Sequence, residues 1–211
     1  MEDLLRAEGE FHWEKPPEKW AMHRDAWSHG QMTSKLWMCE IIEQEFHQDF
    51  SLDLWVFGSW YALLPVLLLC RSNISIRSLS LFDLDLEALR VSRGLLENWI
   101  CQGLPVKFRQ IDCLQLRGNE DFFASPPDLL VNSSCEHFES HGWLNSVPKG
   151  VQLLLQSTDM HHFTHINSPS SLTDFKCQME PLMEISWAQE KEFKYPDQCF
   201  NRYALFGKRK G

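Results

Sequence analysis

Six polar or reactive residues stand in a row at Asn132-Ser133-Ser134-Cys135-Glu136-His137. They follow the apolar segment Asp128 to Val131, so a buried strand would deliver them to one loop held by a rigid sheet. The Asn132 amide could hold an amine. Glu136 or His137 could take a proton from an acceptor heteroatom about 3 Å away. Asn132, Glu136 and His137 are therefore the candidate catalytic residues. The same letters also suit a helix start, with Ser133 or Ser134 as the cap and Glu136 or His137 in the first turn. A nucleophilic Cys135 would need an activated thiolate, and His137 need not face it.

A second set is spread along the chain. Gly58 permits a sharp turn and close backbone approach after an apolar run, and Asp83 follows 25 residues later at the end of the next one. A carboxylate there can accept from both hydroxyls of a ribose. Asp112 ends a third run, where it could take an adenine amino group between walls of Ile111, Cys113 and Leu114. Either acid could instead cap the turn that follows it. Trp60 or Tyr61 could face a cation with a π surface, or pack in the core.

Other polar groups could converge on the Asn132 loop: Gln156 to Asp159 with His161, His162 and His165, and Trp27-Ser28-His29 with Lys35. From these, His29, Lys35, Gln156 and His162 are the candidate acceptor-lining residues. The three histidines beside Asp159 have the chemistry of a zinc or iron site, and His161 and His165 have i to i+4 spacing. No HxxxH with a catalytic glutamate is present, so the segment is read as an exposed or substrate-lining loop, with no metal assigned.

The elements that must position these groups alternate in type. Residues 1–50 are rich in Trp, His and charge; Leu36, Trp37, Ile41 and Ile42 within Ser34 to Phe46 predict a helix, read as a cap before the main fold. Strands are expected at Leu52 to Phe57, Ile76 to Phe82, Val106 to Ile111, Asp128 to Val131 and Val151 to Leu155. Helices are expected at Trp60 to Cys70 and Leu86 to Trp99. Met183 to Trp187 and Arg202 to Phe206 read as an antiparallel pair around Tyr195-Pro196-Asp197. The expected fold class is α/β: a three-layer, Rossmann-like, mostly parallel sheet in residues 51–211, closed by that pair and preceded by the cap. Ligands of such sheets bind beyond the carboxyl ends of the strands.

In this order, strand-Gly58, strand-Asp83, strand-Asp112, strand-Asn132 and a terminal hairpin, the chain resembles the class I S-adenosylmethionine-dependent methyltransferases over about residues 50–207. The resemblance implies S-adenosylmethionine as cofactor. Gly58, with Ser59, Trp60 and Tyr61, would pass its amino-acid arm; Asp83 with Leu84 would bind ribose; Asp112 with Cys113 would meet adenine; and Asn132 would face the sulfonium. Phe57-Gly58-Ser59-Trp60-Tyr61 keeps one glycine where the family has several, and GxGxxG is absent, which counts against a dinucleotide. Methyl transfer to a small-molecule acceptor is the expected reaction. The alternatives are transfer or cyclisation of the aminocarboxypropyl arm, and a non-catalytic interaction protein on the same scaffold.

Composition limits the partners. The 211 residues suit one domain with a short cap, and 44% hydrophobic with 23% charged residues is ordinary for a globular protein. A net charge of −9 repels a polyanion, so no nucleic-acid partner is expected. The apolar stretch Ala62 to Cys70 is too short to cross a bilayer, and Met1-Glu2-Asp3-Leu4-Leu5-Arg6 lacks a secretion signal. Seven cysteines without CxxC are expected to be reduced and mostly buried. The expectation is thus a cytoplasmic protein without a membrane partner, compatible with a homodimer.

Overall fold

The computed structural model describes residues 24–116, 120–195 and 198–211. The Met1 to Arg6 reading, residues 1–23 of the expected cap, and Pro196-Asp197 of the expected turn lie outside them. Seven strands form one sheet in the order β3-β2-β1-β4-β5-β7-β6. The chain divides into two compact units, Met1–Leu52 with Ser59–Gln110, and Asp53–Gly58 with Ile111–Gly211.

In the first unit, helix α1 (His29–Glu45) starts where Ser28 accepts from Gln31 N at 3.3 Å. Its buried face includes Ser34, Lys35, Met38, Ile41 and Ile42, and it packs on α2 (Leu63–Arg71). The predicted start of α2 at Trp60 is corrected to Leu63. Trp60 (φ 46°) and Ala62 (φ 56°) are left-handed, which no continuous helix tolerates. Pro65 lies within the first turn of α2, where a missing N–H costs nothing.

Strand β2 (Ser75–Asp83) pairs in parallel with β3 (Val106–Gln110), from Leu79 opposite Val106 to Asp83 opposite Gln110. Between them α3 (Leu86–Cys101) is capped by Asp85, whose carboxylate accepts from the N–H groups of Glu87 and Ala88. Its buried Ala88, Leu89, Val91, Ser92 and Leu96 follow the 3.6-residue period.

The second unit takes most of β1 (Ser51–Phe57), with β4 (Leu129–Asn132), β5 (Gln152–Thr158), α4 (Leu172–Met179), β6 (Met183–Tyr195) and β7 (Gln198–Arg209). β4 is buried throughout and is flanked in parallel by β1 (Leu54 opposite Leu129, Phe57 opposite Asn132) and β5 (Leu129 opposite Gln152). β7 runs antiparallel to both β5 and β6.

Three expectations need correction here. β5 runs to Thr158, so Gln156, Ser157 and Thr158 lie within the strand and only Asp159 follows it. The terminal strands extend far beyond Met183 to Trp187 and Arg202 to Phe206. The His161–His165 segment is irregular, so the i to i+4 spacing has no helix to act on. A register shift interrupts β6 between Ile185 and Trp187, and there a Cβ on Gly207 would collide with the Glu184 carbonyl.

The thiols depart from expectation as well. None of the seven is in a disulfide, but only Cys39, Cys113 and Cys135 are buried; Cys70, Cys101, Cys177 and Cys199 are exposed. The reason is placement: Cys70 and Cys101 lie in the last turns of α2 and α3, where the helices leave their packed faces. No helix among the described residues is long and apolar enough to cross a membrane.

Candidate functional site

The parallel strands run outward in two directions from β1 and β4, which makes their carboxyl ends the point where the chain's winding reverses. Gly58 follows β1 there with φ +60°, a left-handed conformation that glycine adopts without steric cost. A Cβ on it would meet Phe138 Cε2 at 3.4 Å and Ser134 Cβ at 3.9 Å. The loop after β4 therefore lies directly against the loop after β1.

Asn132, opposite Phe57 in the register, closes β4 and is fully buried. Its Oδ1 accepts from Ser134 N at 3.0 Å, which turns the chain out of the strand. Its Nδ2 has no partner among the described residues. A buried amide donor without an acceptor costs about 1–3 kcal/mol, so this position fits a ligand better than a purely structural turn.

A single 3-10 turn, Cys135–His137, follows. Ser134 holds its cap position without a side-chain hydrogen bond, so the helix-start reading is met only in part. Cys135 is fully buried, and burial together with the Glu136 charge pushes its thiol well above the usual range, which removes it as a nucleophile. Glu136 points inward at 2% exposure, with Oε1 4.0 Å from Arg202 Nη1. Arg202 also donates to Gln156 Oε1 at 3.3 Å, placing fully buried Gln156 behind Glu136.

The following loop folds back on this turn. Ile166 N and Asn167 N both donate to the Glu136 carbonyl, at 2.9 and 3.0 Å. The His137 ring lies 4.7 Å from the His165 ring, edge to face, and His162 lies 5.3 Å from His165. His162 is exposed and pairs with Thr164 Oγ1 at 2.7 Å. Thus Asn132, Glu136, His137, Gln156 and His162 converge within one unit, together with His165, whose contact with His137 the loop fold sets.

Asp159 is not part of this group. Its carboxylate accepts from Asn201 N, Asn201 Nδ2 and the Tyr203 hydroxyl, at 2.7 to 3.0 Å, and staples the end of β5 to β7. Asp112 caps the 3-10 turn Cys113–Gln115, accepting from Leu114 N and Gln115 Nε2, with Cys113 buried beside it.

The first unit holds the other candidates. Asp83 Oδ2 accepts from Trp60 N at 2.7 Å and Oδ1 from Asp85 N at 2.9 Å. Burial raises its pKa, and the Asp85 and Trp60 N–H groups oppose that rise. Ser59 N bonds the Phe82 carbonyl, while Ser59 Oγ is buried without a partner among the described residues. Tyr61 lies in an apolar cluster with Ala26, Ala88 and Val91, against which Trp60 packs. Burial and the Asp85 and Glu87 charges push its hydroxyl up to about 12. Leu84 is 66% exposed, His29 is exposed on the first turn of α1, and Lys35 is buried in that helix.

A cleft of about 400 Å³ between α4 and the start of β6 lies at the wrong end for this chemistry. Its Glu184 is opposite Lys208, which pairs with Gln152 at the start of β5, whereas the polar residues sit at the strand's far end.

No protein-family model matches the chain, and no curated protein matches it. Solved structures do. N-methyltransferase NodS from Bradyrhizobium japonicum, in complex with S-adenosyl-L-homocysteine, superposes with a TM-score of 0.58 at 11% identity, covering 97% of this chain and 98% of that one. Magnesium protoporphyrin IX methyltransferase from Synechocystis, with bound S-adenosylmethionine, gives 0.60 at 10% identity over 84% and 80%. The YcgJ protein of Bacillus subtilis gives 0.61 at 10% identity over 85% and 99%. With the strand order above, these show that the chain has the class I S-adenosylmethionine-dependent methyltransferase fold, as its sequence suggests.

Proposed function

We propose that this chain is an S-adenosylmethionine-dependent enzyme that transfers a methyl group to a small-molecule acceptor. The observation that carries the reading is Asn132. A fully buried amide whose Nδ2 lacks a partner among the described residues stands at the carboxyl end of β4, one register step from left-handed Gly58, at the reversal point of a methyltransferase-type sheet. Two of the structurally similar proteins, themselves methyltransferases, were crystallised with S-adenosyl-L-homocysteine or S-adenosylmethionine.

The residues fit that cofactor. The Asn132 Nδ2 hydrogens suit a carboxylate on an amino-acid arm, and Gly58 lets the arm pass. A carboxylate offers about four acceptor sites. Asp83 accepts from Trp60 N and Asp85 N, and Asp112 from Leu114 N and Gln115 Nε2; their remaining acceptor sites are proposed for ribose hydroxyls and an adenine amino group. When bound, the cofactor supplies an electrophilic methyl group on a sulfonium. Glu136 and His137 would then receive the proton that the acceptor heteroatom loses, and Gln156, His162, His29 and Lys35 are the proposed acceptor-side residues. Residues 1–50 are proposed as a helical cap and 51–211 as the cofactor-binding part.

A non-catalytic role on the same scaffold draws on Phe57-Gly58-Ser59-Trp60-Tyr61, which keeps a single glycine after β1. Calorimetric titration with S-adenosylmethionine and S-adenosyl-L-homocysteine, with NAD as control, separates the two. Binding in the micromolar range, weakened about tenfold or more in Asn132→Ala, supports the enzyme reading. No heat with either ligand sinks it. Methylthioadenosine in place of S-adenosyl-L-homocysteine as product would shift the reaction to the aminocarboxypropyl arm.

A further inference from the structure

We propose that Glu136, His137 and His165 form a binding site for a divalent first-row transition-metal ion. One ligand atom from each lies within 4.8 Å of the other two. Around a tetrahedral ion with bonds of about 2.1 Å, such atoms stand about 3.4 Å apart, so a small side-chain rotation closes the set. His137 is exposed and can make it.

Two observations beyond proximity point to an ion. Both imidazoles are set in a tautomer that leaves Nε2 able to bind a metal. His137 Nδ1 donates to the Thr164 carbonyl at 3.1 Å, and His165 Nδ1 donates to the Met160 carbonyl at 2.7 Å. A carbonyl only accepts, so each neutral ring carries its proton on Nδ1 and its lone pair on Nε2. This is the outer-shell arrangement typical of metal-bound histidine. Secondly, Glu136 is 98% buried by its 2% exposure, and Oε2 has no partner among the described residues. Its other oxygen faces Arg202 Nη1 at 4.0 Å, which orients the carboxylate. Glu136 thus brings a buried carboxylate, with one oxygen unpartnered among the described residues, to a point where two imidazoles each offer a further ligand atom, a set that a cation would join.

Two imidazoles and one carboxylate suit zinc, iron or manganese, with open positions left for water or an acceptor oxygen. The backbone bonds from Ile166 and Asn167 to the Glu136 carbonyl hold the two loops in place for this. An ion there would replace direct proton acceptance by Glu136 and His137, because a bound acceptor hydroxyl would lose its proton more readily. The site stands on the geometry of one unit and does not depend on methyl transfer.

The test uses the full chain, stripped with a chelator and dialysed against Zn2+, then against Co2+. One equivalent of Zn2+ per chain is expected, with affinity reduced about tenfold or more in His165→Ala and in Glu136→Gln, and unchanged in His161→Ala. His137→Ala, a surface change, carries the same expectation should Glu136→Gln fail to fold. The Co2+ adduct should show d–d bands without thiolate charge transfer. Binding unchanged in His165→Ala and His137→Ala, a thiolate band that traces the metal to the cysteines, or no binding at all would each overturn the site.

Discussion

At the scale of single residues, the polar interior of the second unit is built from buried groups with few alternatives. His141 is one of them: it is 8% exposed, and its Nε2 lies 3.0 Å from Gln178 Oε1 and 3.2 Å from Asn167 Nδ2. Burial lowers its pKa below the ordinary 6.5, against the opposing effect of Gln178. Above that value the ring is neutral in both folded and unfolded chains. As pH falls below about 6.5 the unfolded chain takes up the proton first, so stability is lost until the lower folded pKa is passed. Thermal unfolding followed across this range should show a steeper acid loss in the native protein than in His141→Gln. An equal slope in both would mean that other groups govern the acid limb. The chemistry-bearing loop was legible from its letters, since Asn132, Glu136 and His137 are neighbours in sequence. His165 was among the histidines expected to converge on that loop, but its place against His137 rather than beside Asp159 was not legible, because it depends on a loop path set by backbone bonds to Glu136.

At the scale of elements, the two glycines on which close packing rests should differ in their tolerance. Gly58 carries φ +60°, so alanine there costs about 1–2 kcal/mol of left-handed strain while its methyl makes near-ordinary contact with Phe138. Gly207 has ordinary backbone angles, but its Cβ would drive into backbone at Glu184, and backbone cannot step aside as a side chain can. Gly207→Ala should therefore lower the denaturation midpoint more than Gly58→Ala; the reverse ranking would show that β6 yields at its bulge. β1, β4 and β5 were readable because each carries a nearly continuous apolar run, and β2 and β3 because apolar and polar residues alternate along them. β6 was read only as far as Trp187 because Glu190, Lys191, Glu192 and Lys194 interrupt the apolar pattern beyond it. α4 escaped although Ser171 and Asp174 form a cap signal ahead of Phe175 and Met179. Eight residues give too little periodicity to stand out. The late start of α2 had no signal, since neither Trp60 nor Ala62 is a residue type that favours positive φ.

At the scale of the whole molecule, the cysteines report on packing. Alkylation of the native protein should label Cys70, Cys101, Cys177 and Cys199 and spare Cys39, Cys113 and Cys135 until the chain is unfolded. Burial pushes the Cys39 thiol up to about 12, and a thiol bond to Glu192 at 3.1 Å raises Cys199, which should react more slowly than the other exposed three. Peptide mapping that found Cys135 modified under native conditions would contradict its placement. The division of the chain also bears on its manufacture. Asp53–Gly58 belongs with Ile111–Gly211, and Leu54 is paired with Leu129, 75 residues further on. At about 5–20 residues per second, a ribosome takes roughly 4–15 s to cover that gap. For that interval Leu54, Trp55, Val56 and Phe57 have left the exit tunnel ahead of β4, the neighbour they need in their own unit. The nascent chain thus presents a short apolar β-prone segment to the crowded cell, and a holding chaperone should have its strongest claim on the polypeptide before Leu129 emerges.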